Sequence, residues 1–380
     1  METYDYIIIG AGAAGLMLAD ALGSDPFFAQ KSILLLDKDA KRTNDRTWCF
    51  WEKERGPFDD ILYATWDHIN FGGKDFHKTL AIKPYVYKML RGVDFYRAHL
   101  ERIGSYPNLR FAQETVTQVE EVSSRVRVHT EDNTYVGTKV FNSILDFSRL
   151  GEQSKFPVLQ QHFEGWFVKA KQPIFTEDRA TFMDFSVPQK GNTRFMYLLP
   201  FSATEALVEY TLFSEQLLPN KEYGQAIETY LRETLHCTSY EVLFREKGSI
   251  PMSCYDFAAG RTQNMLPIGT AGGWSKASTG YTFRNTYKKT TQLVAHLKAG
   301  KSLDTFGKKA RFWYYDLILL DVLHHDNGQG RLVFESLFKK RTPQQIFKFL
   351  DEETHLGEEL RVISAAPTWA FIKALFRRLF

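Results

Sequence analysis

Cysteine is nearly absent from this 380-residue chain: Cys49, Cys237 and Cys254 stand far apart, with no CxxC pair. Such a sparse, odd set excludes a disulfide framework, a structural zinc site and the dithiol of a disulfide reductase, and it fits a reducing compartment. No segment approaches about 18 uninterrupted apolar residues, so no transmembrane helix is expected. An excess of one charge is lacking too. The 48 Lys and Arg against 45 Asp and Glu give +3, too little to argue for nucleic acid. Glu2 and Asp5 open the chain and a strand begins at once, which is not the pattern of a signal peptide. Internal repeats and low-complexity tracts are missing. Aromatic residues, by contrast, are abundant: 15% of the chain, including 31 Phe. Ordinary cores account for much of that, and a large apolar ligand would account for the rest.

The first forty residues carry the most specific signal. Tyr6–Ile9 is a short β-branched run, Gly10, Gly12 and Gly15 follow in G-x-G-x-x-G spacing, and Leu16–Leu22 is an apolar helical stretch. A second buried strand, Ser32–Leu36, ends at Asp37. In such a βαβ unit Gly10 permits the tight turn, Gly12 lets backbone approach a pyrophosphate, and Gly15 lets the helix pack on the strand. The helix N-terminus offers free N–H groups to the anion, and Asp37 stands where a carboxylate accepts from a ribose diol. Far downstream a second glycine turn, Gly269-Thr270-Ala271-Gly272-Gly273, precedes another helix near 282–298. A long flavin-adenine molecule needs one site at each end, so FAD is favoured over NAD.

Between and beyond these turns the pattern changes. A helix is expected over 85–102 with Pro84 at its start, then a β-meander from Leu109 to Leu145. Strand-like stretches at 165–170, 181–185, 193–199 and 206–212 predict an antiparallel sheet, broken by a helix at 223–235. From 303 onward the chain reads as amphipathic helices. The expected fold is α/β. A Rossmann-type FAD-binding domain (1–150 and 256–300) is interrupted by a substrate-binding antiparallel-sheet domain (151–255) and followed by a helical C-terminal region (301–380).

With both glycine turns placed, further landmarks fall into order: Arg46-Thr47-Trp48-Cys49-Phe50, Met183-Asp184, Tyr197-Leu198-Leu199-Pro200-Phe201, and Glu209 within Leu207-Val208-Glu209-Tyr210-Thr211. Glu246-Lys247-Gly248-Ser249-Ile250-Pro251-Met252 and Ser278-Thr279-Gly280-Tyr281-Thr282 complete the set. In this order they resemble the flavoprotein lycopene cyclases of bacteria, relatives of the plant β- and ε-cyclases. The resemblance spans nearly the whole chain. One departure is Tyr210, where the family usually has a second acid directly after the glutamate.

The resemblance implies cyclisation of the ends of lycopene, a linear C40 polyene, to β-rings through protonation and a carbocation, with no net redox change. It implies reduced FAD, with NAD(P)H as reductant, and no metal. Glu209 is then the catalytic acid. It shares a strand face with Leu207, so its carboxyl is expected in an apolar cleft, where a raised pKa makes it a proton donor near neutrality. Asp184 is the second catalytic candidate; it orients the glutamate, sits near the flavin, or caps a turn. Trp48, Phe50 and Trp51 offer rings to a cation or simply pack the core, and Lys276 and Arg284 flank the second glycine turn as cofactor contacts or solvated side chains. A bilayer-resident substrate implies a cytoplasmic protein held peripherally on the inner face of the membrane. The basic, apolar run 371–380 is suited to that interface. The alternatives are an FAD oxidoreductase, such as an aromatic-ring hydroxylase or isoprenoid reductase, and a non-enzymatic carotenoid- or lipid-binding flavoprotein.

Overall fold

The computed structural model describes residues 1–307 and 309–379, with backbone alone at Arg149 and Ala258; Lys308 and Phe380, the last residue of the basic C-terminal run, lie outside the described residues. The chain opens with β1 (Glu2–Ile9), α1 (Ala13–Ser24) and β2 (Ile33–Asp37). β1 is buried on both sides from Tyr6 onward, which is why it is an unbroken Ile run rather than an alternating one. Five short strands follow: β3 (Thr47–Glu52), β4 (Ala64–Trp66), β5 (His68–Gly72), β6 (His77–Ala81) and β7 (Val86–Arg91). Next come α2 (Gly92–Gly104), β8 (Leu109–Gln113), β9 (Val116–Val122), β10 (Arg125–Thr130), β11 (Thr134–Asn142) and a single turn, α3 (Ser148–Gly151).

The expected helix from residue 85 therefore begins later. Pro84 follows a cis peptide bond, and residues 86–91 form β7 between β3 and β4. Tyr87 and Met89 are buried there, so burial in a sheet overrides the local helical pattern. The last strand of the expected meander, β11, runs unbroken from Thr134 to Asn142.

The second half contains β12 (Val158–Ala170), β13 (Arg179–Asp184), β14 (Thr193–Pro200), β15 (Glu205–Ser214) and α4 (Asn220–Thr229), which runs into a π turn at Tyr230–Thr234. β16 (Tyr240–Ser253) and β17 (Met265–Pro267) lead to a 3-10 turn at Gly269–Gly272 and then α5 (Phe283–Lys298). Five helices close the chain: α6 (Arg311–His325), α7 (Gln329–Lys340), α8 (Pro343–Leu350), α9 (Leu356–Ile363) and α10 (Thr368–Leu379).

These elements make the mixed α/β architecture the sequence predicted. The first sheet runs β8-β2-β1-β11-β10-β9, with β17 also on β11. β8, β2, β1, β11 and β17 are parallel, so the carboxyl ends of β1 and β2 point to one edge, where α1 starts. The second sheet runs β16-β12-β15-β14-β13-β5-β6. It is mostly antiparallel, but β13 and β5 pair in parallel, so residues 68–81 join the sheet expected from 151–255 alone. One face of this sheet packs on α4 through Val208, Tyr210 and Tyr223. The other, with Phe182, Leu207 and Phe213, is covered by α6, α7 and α8. Successive strand residues point to opposite faces, and the candidate site is read from that alternation.

Candidate active site

The two glycine turns come together at the start of α1. Gly10 adopts φ +94, a left-handed conformation that favours glycine, and a Cβ there would lie 2.0 Å from Ser143 Oγ. At Gly15 a Cβ would lie 1.8 Å from the Gly10 carbonyl oxygen. Gly12 differs: nothing lies within 4 Å of its Cβ position. That open side, at an N-terminus with no side-chain cap and no acidic residue in its first turn, suits a pyrophosphate. Asp37 ends β2 and accepts from the Ala11 N–H at 2.5 Å and from the Asp39 N–H at 2.8 Å. Lys41 pairs with it at 3.3 Å, so Asp37 braces the turn as well as standing where a ribose would lie. Gly269 has φ +60, and its Cβ would come within 2.9 Å of Ala14 Cβ, so the second turn rests directly on α1. Gly272 is pressed against the Pro267 carbonyl, and Gly273 closes the turn at φ +68.

Beside this cradle lies a cavity of about 360 Å³, bounded by Arg46 and Trp48, by Thr270, by the Gly280–Phe283 segment and by the second sheet. The sheet contributes Tyr197, Leu207 and Glu209 to its lining. Tyr197 on β14 pairs with Glu209 on β15, Glu209 with Gly165 on β12, and Gly165 with Glu246 on β16. Paired residues share a face, so two carboxyls flank a residue with no side chain. A Cβ on Gly165 would lie 2.8 Å from Leu207 Cδ1 and 3.2 Å from Glu246 Cγ, so glycine leaves the space the acids occupy.

Burial, then the neighbouring Glu246 charge, pushes Glu209 up to about 8, against a hydrogen bond from Thr211 Oγ1 at 2.7 Å. Its remaining accessible surface faces the cavity rather than bulk water. Burial likewise raises Glu246 to about 7, opposed by a 2.6 Å bond from Thr47 Oγ1 and by the charge of Arg46. Both carboxyls are therefore held up by burial, and near neutrality the pair keeps a proton. Burial also pushes the Tyr87, Tyr197 and Tyr281 phenols and the Cys49 thiol well up, so these stay neutral.

Three features of the cavity fit a flavin ring. Gln161 Oε1 and Thr279 Oγ1 line it, buried and without hydrogen-bond partners. Thr282 and Phe283, at the uncapped N-terminus of the 16-residue helix α5, also line it, and such an end favours negative charge. Trp48, Tyr87, Tyr197 and Tyr281 add aromatic rings to the wall.

The family model described as lycopene cyclase protein matches residues 5–376. The chain belongs to the lycopene cyclase family. A lycopene beta-cyclase from a Paracoccus species is 27% identical over 289 residues, 73% of this chain and 70% of that one. The fold is shared more widely. A geranylgeranyl bacteriochlorophyll reductase-like protein from Thermoplasma acidophilum superposes with TM-score 0.63 at 10% identity, covering 99% of both chains. A flavoprotein/dehydrogenase from Cytophaga hutchinsonii gives TM-score 0.64 at 12% identity over 96% of this chain and 100% of its own. The flavin-dependent brominase Bmp2 gives 0.61 at 14% identity, with coverages of 99% and 98%.

Not every family landmark reaches the cavity. Asp184 accepts from Tyr230 OH at 2.8 Å and from the Ser186 N–H at 2.9 Å, in space left by Gly72. It caps a turn, one of the roles open to it from the sequence, and bonds Tyr230 just beyond α4. Its neighbour Met183 lines a second cavity. Tyr210 also lies on the α4 face, bonded by Arg194 at 3.2 Å. A residue directly after Glu209 points to the opposite face, and the acid that shares the Glu209 face is Glu246, across Gly165. Of the three clustered aromatics, Trp48 lines the acidic cavity, whereas Phe50 stacks on Phe283 and Trp51 on Phe347.

Lys276 and Arg284 are both held in ion pairs. Lys276 is buried between Asp316 at 3.1 Å and Glu352 at 3.0 Å, and Arg284 pairs with Glu52 at 2.7 Å and Asp351 at 3.2 Å. Both fasten the C-terminal helices to the core. Lys276→Met strands the buried Asp316 carboxylate, and a loss of about 3–5 kcal/mol in urea unfolding is expected.

Proposed function

We propose that the chain is a lycopene β-cyclase that uses reduced FAD to close the linear ends of lycopene without net redox change. The observation carrying this reading is Glu209 in the wall of a partly aromatic cavity beside a dinucleotide cradle, with Glu246 paired on the same sheet face across Gly165. The acid step follows from that placement. Protonated Glu209 delivers its proton to the terminal double bond, leaving a tertiary cation on the chain. The neighbouring double bond attacks the cation and forms the ring bond. Loss of a ring proton makes the product an isomer of the substrate, and the proton returns to the carboxylate pair. Tyr197, Tyr281 and Trp48 present ring faces to the cation and exclude water that would trap it. FAD, held by Gly10, Gly12, Gly15 and Asp37 at one end and by the Gly269–Gly273 turn at the other, supplies an electron-rich ring when reduced, with NAD(P)H as the reductant. The alternative of a flavin oxidoreductase gains no specific support from a cavity with a proton-holding Glu209 in its wall.

The deciding experiment is conversion of lycopene by purified, flavin-loaded protein under photoreduction without oxygen. The expected product has the mass of lycopene and one or two β-rings. No isomeric product there, with O₂ and NAD(P)H consumed in step with product in a parallel aerobic assay, would replace this reading with an oxidoreductase.

We place the protein peripherally on the cytoplasmic membrane. No helix among the described residues is long and apolar enough to cross a bilayer. Leu356 and Leu360 on α9 and Trp369, Ile372, Phe376 and Leu379 on α10 are exposed, forming an apolar face suited to lying in an interface. The basic residues contribute less than their number suggests. Arg377 and Arg378 both turn inward, donating to Asp321 at 2.7 and 2.6 Å. Flotation with neutral phosphatidylcholine vesicles is therefore expected, with modest gain from anionic lipid, and Leu360→Ser/Trp369→Ser is expected to abolish it. Failure of the parent protein to float with either vesicle removes this placement.

A further inference from the structure

A second cavity, about 460 Å³ in volume, lies between the second sheet and the C-terminal helices. Met183 on β13 and Phe213 on β15 form its floor, and side chains from α6 through α10 roof it. One charged residue lines it, Asp316, and that carboxylate is already taken by Lys276 at 3.1 Å and by Ser278 Oγ at 2.6 Å. No free charge faces the space. Both this cavity and the acidic one are lined by the same three residues, Tyr197, Thr279 and Tyr281, so those side chains are the partition between them. At the far end Ile372 and Leu375 of α10 line the cavity and are also exposed, which puts its mouth on the apolar surface of α9 and α10.

We propose that this cavity is a tail chamber, holding the unreacted length of a linear polyene while one end lies against Glu209 beyond the Tyr197–Tyr281 partition. The inference rests on the cyclase reading above and adds where the rest of the substrate goes. Each cavity lies within the range of a ligand site, roughly 300–1,000 Å³. The acidic one, shared with a flavin ring, has no room for a whole C40 chain. The apolar chamber adjoins it, carries no uncompensated charge, and opens on the surface from which a bilayer-dissolved polyene would arrive. Entry then requires the Tyr197 and Tyr281 rings to part.

The test uses two substrates with the same reacting end: lycopene, and an acyclic apocarotenoid cut near its midpoint that keeps one intact end. Leu319 on α6 and Leu337 on α7 are half-buried residues lining the chamber, remote from the glycine turns. Leu319→Trp and Leu337→Trp, made separately, fill the chamber from opposite helices. Each is expected to lower kcat/KM for lycopene at least about tenfold, as overfilling a packed space does, while flavin content and turnover of the short substrate stay near those of the parent. Retained short-substrate turnover also shows that the variant is folded. Equal loss on both substrates, or loss on neither, overturns the tail chamber. If the parent protein turns over neither substrate, the cyclase reading itself falls.

Discussion

Glu209→Gln is expected to retain flavin and to lower the rate of ring closure about 10²–10⁴-fold, the usual contribution of a positioned general acid. Glutamine keeps the shape of the side chain and can still accept from Thr211, but has no transferable proton. The pH dependence follows from the same group. Glu209 is pushed up to about 8, so the acid form is present below that pH and the rate falls as pH rises through it. Glu246→Gln removes a like charge that helps hold Glu209 up, so the alkaline limb is expected to move to lower pH. A role for Glu246 in packing alone would lower activity without moving that limb.

Stability provides an independent check. The folded state keeps the Glu209 proton up to about 8, whereas an unfolded chain releases it near the ordinary 4.5. Between those limits the native state binds more protons, so wild-type stability declines as pH rises. Glu209→Gln lacks this decline. Its melting temperature relative to wild type is expected to be nearly unchanged near pH 4.5, to climb through the window, and to reach its largest gain above about pH 8. A constant difference at all pH values would mean that Glu209 is not held protonated by its surroundings.

What could be read from the sequence depended on whether a signal was local. The fingerprint at 10–15 and Asp37 were legible because each glycine answers a nearby constraint: a positive φ at Gly10, an open side at Gly12, a carbonyl against Gly15. Glu209 was legible because strand alternation set it with Leu207. Glu246 was in view as the first residue of the Glu246–Met252 landmark, but its burial was not, because Arg245 and Lys247 beside it are exposed charges. That burial comes with pairing to Gly165, far away in sequence. Asp184 shows where alternation fails: the strand is irregular between Thr181 and Asp184, so Phe182 and Met183 both line the apolar chamber while Asp184 bonds Tyr230. The partition between the chambers joins β14 to the loop before α5, and no spacing in the sequence encodes that contact.

Gly12→Val and Gly15→Ala are expected to lose flavin for opposite reasons, and comparing them tests where the cofactor lies. Nothing stands within 4 Å of a Cβ at Gly12, and its φ of −80 with ψ of −168 suits any residue. The valine therefore has room in the apoprotein and fills only the space a pyrophosphate would take. Flavin-free Gly12→Val should melt like flavin-free parent protein, while its 450 nm absorbance after reconstitution falls nearly to background. At Gly15 even one methyl would lie 1.8 Å from the Gly10 carbonyl oxygen, so α1 must move off β1. Backbone cannot yield as a side-chain tip can, and a loss of about 1–3 kcal/mol or more is expected in the apoprotein itself. Full flavin in Gly12→Val would move the pyrophosphate away from this turn. A normal melt for Gly15→Ala would deny the close packing on which the turn depends.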